Sequence, residues 1–144
     1  MSIDSGKRVM SGTFGEFWWD GELIAETYKF EAKYTYTKEA VTLGRQIVED
    51  TKVMGVRGTG SVGIQKVYSR FREYADAAKQ GRDVRGTFVS KLDDPDAYGA
   101  ERVALYGVSL DEVPLVNWEH KVIQKDEVPF TFTDHKFLDA VTPD

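Results

Sequence analysis

The sequence of 144 residues contains no cysteine and only two histidines, His120 and His135. Disulfide bonds, thiolate nucleophiles and cysteine-ligated zinc or iron–sulfur sites are therefore excluded. Neither histidine is presented to its neighbouring acid, Glu119 or Asp134, because adjacent residues on a strand point to opposite faces. No serine lies in a G-x-S-x-G elbow. The sequence therefore predicts no catalytic residue, no metal site and no bound cofactor.

Long apolar runs and an excess of basic residues are also lacking. No run of about 18 apolar residues is present, and residues 1–10 hold no apolar core of a secretory signal. We therefore expect a protein that stays in the cytosol, without stable membrane association. The net charge is −5. Because clustered lysine and arginine supply most of the affinity for nucleic acid, a dedicated nucleic-acid-binding protein is not expected.

The sequence does contain alternating, strand-like segments, in a number sufficient for one domain. Hydrophobic residues make up 41% of the chain, which is enough for a single core over residues 1–144. Residues 1–11 are polar and aperiodic, so they predict an N-terminal arm that only something outside the domain would hold. Asp20-Gly21 predicts a tight hairpin turn.

The segment from Glu22 to Tyr36 alternates between an apolar and a polar face. At ~3.3 Å per residue it would span about 50 Å, whereas a domain of this size has a radius of gyration of roughly 15 Å. This strand must bend sharply or project beyond its domain. The apolar face comprises Ile24, Tyr28, Phe30, Ala32, Tyr34 and Tyr36. The polar face comprises Thr27, Lys29, Glu31, Lys33 and Thr35.

Residues 38–60 continue without a proline and predict a projecting loop or arm. The glycines of VMGVRGTGSVGIQ indicate a strand with bulges or close backbone approach. A phosphate-binding loop is disfavoured because the Lys-Ser/Thr pair that follows its glycines is missing. Trp18 and Trp19 are neighbours on a strand, so one is expected in the core and the other at an interface with a partner.

A single helix is predicted from Val67 to Lys79, where apolar residues recur at helical spacing before Gly81. Further strands are expected at 86–92, 102–110, 113–118 and 128–133. At Gly107 the apolar phase changes, which is typical of a bulge or a barrel corner. The predicted fold class is mainly β: a small antiparallel barrel or sandwich with one flanking helix and a long projecting hairpin arm.

Four segments carry a resemblance to a known family. They are SGTFGEFWWDGELIAE, GTGSVGIQKVYSRF, VSKLDDPDAYGAERVALYGVSLDEVPL and EVPFTFTDHKFLD. Together they resemble the tail tube proteins of contractile-tailed phages, of the XkdM-like type known from PBSX-type prophages, over about residues 11–139. The resemblance implies a non-enzymatic structural subunit. Six copies would form a ring, and the rings would stack into a hollow tube inside a contractile sheath, for DNA passage or membrane puncture.

The same resemblance implies the partners and the location of the protein. The partners would be its own copies and the tail sheath, tape-measure, baseplate and tail terminator proteins. DNA would be only a non-specific cargo. Assembly would take place in the host bacterial cytoplasm, and the product would be a virion or a phage-tail-like particle such as a bacteriocin.

Physical reasoning then suggests which residues face neighbours and which face the channel. The candidates for inter-subunit or inter-ring contact are Val41, Leu43, Ile47, Val48, Trp18 and Trp19. The candidates for the lumen are the polar-face residues Thr27, Lys29, Glu31, Lys33 and Thr35. A conduit must not hold DNA, so a net acidic or near-neutral bore is expected, with acids from other strands offsetting the two lysines.

Three alternatives remain open at this level. The arm could fold back on its own core. The aromatic strands could instead surround a cavity, as in a small-molecule-binding β-barrel. An oligonucleotide-binding barrel would require a basic groove between aromatic residues, which the acidic composition disfavours.

Overall fold

Eight antiparallel strands and one α-helix form in residues 3–142, the part of the chain that the computed structural model describes. The strands are β1 (Gly15–Trp19), β2 (Glu22–Leu23), β3 (Thr27–Val41), β4 (Asp50–Gln65), β5 (Gly86–Leu92), β6 (Glu101–Leu110), β7 (Lys125–Phe132) and β8 (Asp134–Asp139). The helix, α1, spans Arg72–Lys79. The prediction of a mainly β fold with one helix is confirmed.

The strands hydrogen-bond in the order β2-β1-β5-β6-β7-β4-β3, and β8 pairs with β6. Strand β6 belongs to both halves of this sheet, because its first part pairs with β5 and β8 while Ser109 and Leu110 pair with β7. Gly107, at a φ of 64°, lies between the two parts. The predicted corner at Gly107 is confirmed, since only glycine adopts this backbone conformation without cost.

The two halves of the sheet meet at an aromatic core. The Phe17 ring of β1 lies 4.9 Å from the rings of Phe30 and Phe88, and Phe88 lies 5.0 Å from Phe130. These contacts join β1 and β5 to β3 and β7 across the interior. Alternation explains the selection of core residues in β7, because every second side chain from Val128 to Phe132 points inward.

Close packing against neighbouring strands explains three of the glycines in β4. A Cβ atom on Gly58 would lie 2.7 Å from the Phe132 ring, and one on Gly60 would lie 2.6 Å from the Phe130 ring. A Cβ on Gly63 would meet the Tyr28 ring. Aromatic rings therefore occupy the space that side chains on β4 would need. The prediction of close backbone approach is confirmed at Gly58 and Gly60, where a Cβ atom would also meet the carbonyl oxygens of Phe132 and Glu31.

The predicted strand from Glu22 to Tyr36 is interrupted. Glu22 and Leu23 pair with β1 across the confirmed Asp20-Gly21 turn, and the backbone N–H of the buried Ile24 still donates to the Phe17 carbonyl of β1 at 2.9 Å. β3 then begins at Thr27 and continues to Val41, five residues beyond the predicted end. It pairs with β4 along almost its whole length, so residues 38–41 and 50–60 are paired strand and only residues 42–49 form the connecting loop.

Helix α1 begins at Arg72, five residues later than predicted. Phe71 lies in the core directly before it, and Tyr74 accepts a hydrogen bond at 2.9 Å from the indole nitrogen of Trp19. The segment before Phe71 is held instead by the ion pairs of Arg70. The predicted strand at 113–118 is also wrong, because residues 111–124 form an irregular connection between β6 and β7.

The described part of the N-terminal arm lies against the chain's own turn at 93–99. The backbone N–H of Ser11 donates to the buried Asp94 carboxylate at 2.9 Å. Arg8 pairs with Asp4 at 3.0 Å, and its guanidinium lies over the Tyr98 ring. The expectation that only an outside partner would hold this arm is therefore corrected. Met1 and Ser2 lie outside the described residues.

A partly buried ion cluster joins the start of β3 to the segment before α1. Arg70 donates to the largely buried Glu26 carboxylate and, at 3.2 Å, to the exposed Glu22 carboxylate. The hydrogen bond from Arg70 lowers the pKa of Glu26 below its usual value of 4.5. This carboxylate therefore stabilises the fold above the pKa it has in the unfolded chain, and its contribution is lost as pH falls through the folded pKa.

We expect Glu26→Gln to lower the free energy of unfolding at pH 7 by about 1–3 kcal/mol, because it removes a charged acceptor and leaves Arg70 poorly paired. Urea denaturation at pH 7 and pH 3 checks this, since the difference from wild type should shrink at the lower pH. Glu22→Gln is the matched control on the same arginine and should change stability by less than about 0.5 kcal/mol. Equal losses for both variants would contradict the assignment.

Candidate assembly surfaces

The hairpin of β3 and β4 carries most of the residues predicted to line a channel or to contact other subunits. The strands β3, β4 and β7 form one sheet, and from here on the polar face is the face of this sheet that carries Lys29, Glu31 and Lys33. Two ion pairs lie on it. Lys29 Nζ lies 3.0 Å from Glu127 Oε1, to which Ser61 Oγ also donates at 3.4 Å. Lys33 Nζ lies 3.7 Å from Glu31 Oε1.

The register of the three strands places nearly balanced charge on the polar face. Five cations and four anions lie there: Lys29, Lys33, Lys52, Arg57, Lys125, Glu31, Glu39, Asp50 and Glu127. The hydrogen bond between Lys29 and Glu127 raises the pKa of Lys29 and lowers that of Glu127. Both groups therefore remain charged at neutral pH, and the acid from β7 offsets the lysine on β3.

A bulge changes the face of the first β3 residues. Thr27 pairs with the buried Ile64, and Lys29 pairs with Gly63, so Tyr28 is the extra residue. Thr27 therefore lies on the core face, whereas Tyr28, expected there, covers Gly63 on the polar face with Lys125 Nζ 4.9 Å from its ring. Among the described residues the Thr27 hydroxyl has no hydrogen-bond partner. Thr27 is accordingly removed from the lumen candidates.

The remaining lumen candidates share the polar face. Lys29, Glu31, Lys33 and Thr35 follow one another at every second position of β3, with Thr35 opposite Arg57. Sequence reasoning did not identify Glu127, Arg57 or Lys125 as members of this face. Alternation within β7 predicts that Lys125 and Glu127 share a face, but only the pairing of β7 with β4 shows that it is the face of Lys29.

The opposite face of the hairpin changes from buried to exposed along its length. Phe30 packs against the core, and farther out the Tyr34 ring lies 5.3 Å from Phe132. The Tyr34 hydroxyl lies 2.6 Å from His135 Nδ1. Beyond this contact the apolar side chains are exposed: Tyr36, Val53, Met54 and Val56. The outer half of the hairpin thus extends past the core of its own subunit.

The predicted contact residues of the arm lie at the end of this hairpin. Ile47 is 102% exposed and Val48 is 83% exposed, and Leu43 is also exposed. Val41 is partly exposed and pairs with Asp50 at the last position of the β3–β4 ladder. These side chains do not fold back onto the subunit core, so they are free to contact a second molecule.

The two tryptophans differ in burial. Trp19 is 8% exposed and packs between Phe71, Tyr74 and Phe88, so its side chain is part of the core and not available for a contact. Trp18 points to the other side of β1 and is partly exposed. Of the pair, Trp18 alone keeps the accessibility that a subunit contact requires.

A groove of about 920 Å³ lies beside β3, between the hairpin and residues of β1, β5, β6 and β8. Its walls include Phe17, Ile24, Phe30, Tyr34 and Phe137. This volume falls within the range of ligand pockets, and it is the observation that favours the small-molecule alternative. The groove is open along β3, the edge strand of the sheet.

The two histidines lie apart from each other in aromatic surroundings. His120 packs against the Trp118 ring at 5.3 Å, and His135 contacts Tyr34 and Phe137. Within residues 3–142 no three His, Asp or Glu side chains are grouped as a metal ion would need. In the same residues, none of the helical structure is both long and apolar enough to cross a membrane.

Comparisons with known proteins agree on one family. A family model described as "Phage tail tube protein" matches residues 4–139. The chain is 34% identical over 131 residues to the "Phage-like element PBSX protein XkdM" of Bacillus subtilis (strain 168), covering 89% of each protein. An uncharacterized protein of the same organism, YqbM, is also 34% identical over 131 residues, with 89% of each protein covered.

Two solved structures share the fold at low sequence identity. A chain of the PVC sheath/tube terminator of an extracellular contractile injection system superposes with a TM-score of 0.74 at 5% identity, covering 94% of this chain and all of the other. A chain of the PVC sheath-tube complex gives a TM-score of 0.66 at 6% identity, covering 92% and 93%. At such identities the similarity is one of fold.

Proposed function

Because the chain belongs to the phage tail tube protein family, we propose that it forms homohexameric rings that stack into the hollow inner tube of a contractile tail. The protein is a structural subunit of a tail tube, which is the function that its family and its fold support. The hexamer, the bore and the individual contacts described below are our proposals. The tail sheath is a partner of the outer wall, and the tape-measure, baseplate and terminator proteins are partners along the bore and at the two ends.

The polar face of β3, β4 and β7 is proposed to line the bore. Its charges are nearly balanced, five cations against four anions, and two of the cations are paired, Lys29 with Glu127 and Lys33 with Glu31. A wall of this kind is hydrated and close to neutral, so it attracts DNA less than a basic wall would, since each uncompensated cation in contact with phosphate adds affinity through counterion release. This balance is the observation that favours the polar face over the apolar face of the hairpin as the channel wall.

Electron cryo-microscopy of the assembled tube tests the proposal. Sixfold rings with Lys29, Glu31 and Lys33 facing the axis are the expected result. Rings of another symmetry, or a bore lined by the Tyr36 face, would overturn the corresponding part. A protein that remained monomeric and bound an apolar ligand in the groove would instead favour the small-molecule-binding alternative.

Neutralising Glu127 should turn the bore into a surface that retains DNA. In Glu127→Gln tubes, Lys29 loses its partner in every subunit, so the bore gains free cations. We expect these tubes to hold DNA at about 50 mM salt, protected from nuclease, and to release it as salt rises. Co-sedimentation of short duplexes with the tubes, with and without nuclease, measures this.

The control for this experiment is Asp76→Asn, which makes the same change of charge on the exposed surface of α1. It should leave DNA retention at the wild-type level. Equal retention by Glu127→Gln and wild type, or bound DNA that nuclease digests completely, would contradict the placement of Glu127 in the bore.

A further inference from the structure

Two exposed apolar surfaces lie at opposite ends of the β3–β4 hairpin. The first, the tip patch, consists of Leu43, Ile47 and Val48 in the loop between the strands. The second, the base patch, belongs to the connection between β6 and β7 and to the residues just after β4. Its members are Val67, Tyr68, Leu115, Val116, Trp118, Val122 and Ile123, all more than half exposed.

Hydrogen bonds hold the base patch at the end of β4 farthest from the tip. The backbone N–H of Lys66, directly after β4, donates to the carbonyl of Gln124 at 2.9 Å. The Asn117 side chain donates to the Lys125 carbonyl at 3.0 Å, and Gln124 donates to the Glu119 carbonyl at 3.0 Å. The irregular connection is thereby folded back beside the start of β7, so its apolar side chains share one end of the molecule.

The two patches cannot meet within one subunit. Sixteen residues of β4 separate them, from Asp50 at the tip to Gln65 at the base, and at ~3.3 Å per residue this is about 50 Å. Two different patches facing opposite directions define a heterologous, head-to-tail contact, which continues without closing when copies are related by translation along the strand direction. A self-complementary dimer would instead bury one patch against itself and leave the other exposed.

We propose that the tip patch of one subunit docks on the base patch of a second copy in the next ring, with Trp118 as the central anchor. The inference rests on the proposed tube, and it identifies the surface that receives the hairpin tip. Trp118 is 65% exposed, and tryptophan is among the residue types most enriched at interface hot spots. Ile47 of the tip patch is completely exposed, and it is the side chain that Trp118 contacts.

The small area of this contact suits ring stacking, in which several copies of the contact form at once. The two patches together offer on the order of 1,000 Å² of surface, counted over both partners, which is at the lower limit for a specific protein interface. A single pair therefore binds weakly. Rings engage all their copies at once, and this multivalency makes the sum of weak contacts a stable joint.

The absence of native cysteine makes disulfide trapping a direct test. In the variant Ile47→Cys/Ile123→Cys, oxidation of assembled tubes should join subunits head to tail into a ladder of covalent oligomers that extends beyond dimers on a non-reducing gel. Each single-cysteine variant should give at most dimers. Ile47→Cys/Val9→Cys, in which the second cysteine lies on the N-terminal arm, should give no ladder.

Trp118→Ala provides a second measurement. Rings should still form, but the concentration needed for tube growth should rise by about tenfold or more, because an anchoring tryptophan has been removed. Native mass spectrometry counts the subunits per ring, and negative-stain microscopy measures tube length. Val9→Ser, an exposed apolar residue in neither patch, is the matched control and should grow tubes as wild type does.

The outcomes separate this inference from the proposed function. Suppose that the wild-type protein forms tubes. If the Ile47/Ile123 cysteine pair then gives no ladder, or if Trp118→Ala forms tubes as wild type does, the tip-to-base contact is overturned and the proposed tube is not. A wild-type protein that forms neither rings nor tubes would overturn both. A ladder that appears only with the Ile47/Ile123 pair would support the contact.

Discussion

Replacing Gly60 by alanine is expected to lower the free energy of unfolding by about 3 kcal/mol or more. The new methyl group would overlap the carbonyl oxygen of Glu31 on the neighbouring strand and would lie 2.6 Å from the Phe130 ring. Neither group can move freely, since one is backbone in the β3–β4 ladder and the other is fully buried. For a chain of this length the melting temperature should fall by roughly 10 °C.

Gly55 provides a control in the same strand. A Cβ atom on Gly55 would have no other atom within 4 Å, so Gly55→Ala should leave stability unchanged or raise it slightly. Thermal and urea denaturation of the two variants measures the difference. A Gly60→Ala variant as stable as Gly55→Ala would show that the close packing of β7 aromatics against β4 is not what these glycines provide.

Removing the apolar side chains at the end of the hairpin should abolish tubes without unfolding the subunit. We expect the combined Val41→Ser, Leu43→Ser and Ile47→Ser variant to lose nearly all tube assembly, because these side chains lie beyond the subunit core. The free energy of unfolding of the subunit should stay within about 0.5 kcal/mol of wild type, since Leu43 and Ile47 are exposed and Val41 is partly exposed at the last position of the β3–β4 ladder. Sedimentation measures assembly, and urea denaturation measures stability.

The same triple substitution tests whether the end of the hairpin packs on its own subunit or contacts another one. A variant of Val9→Ser and Val84→Ser, which removes exposed apolar side chains elsewhere, should assemble normally. If the hairpin variant instead unfolds at much lower urea concentration, its side chains contribute to the core of their own subunit. If it assembles as well as wild type, the hairpin end takes no part in tube contacts.

The sequence by itself determined the class of the fold and the identity of several local features. Alternation in β7, the Asp20-Gly21 turn, the phase change at Gly107 and the close-packed glycines of β4 each depend on a few consecutive residues. Such features can be read locally, because strand periodicity, turn chemistry and the lack of a Cβ act within a short stretch of chain. The resemblance to tail tube proteins rested on the order of these stretches.

Only the tertiary structure decided which residues face each other. The bulge at Tyr28 moved Thr27 to the core, because a single extra residue inverts the alternation that follows or precedes it. The neutralisation of Lys29 required Glu127, 98 positions away. Arg70, in the segment predicted to be helical, pairs with Glu26, and α1 begins only at Arg72. These outcomes depend on strand register and long-range pairing, which local periodicity does not encode.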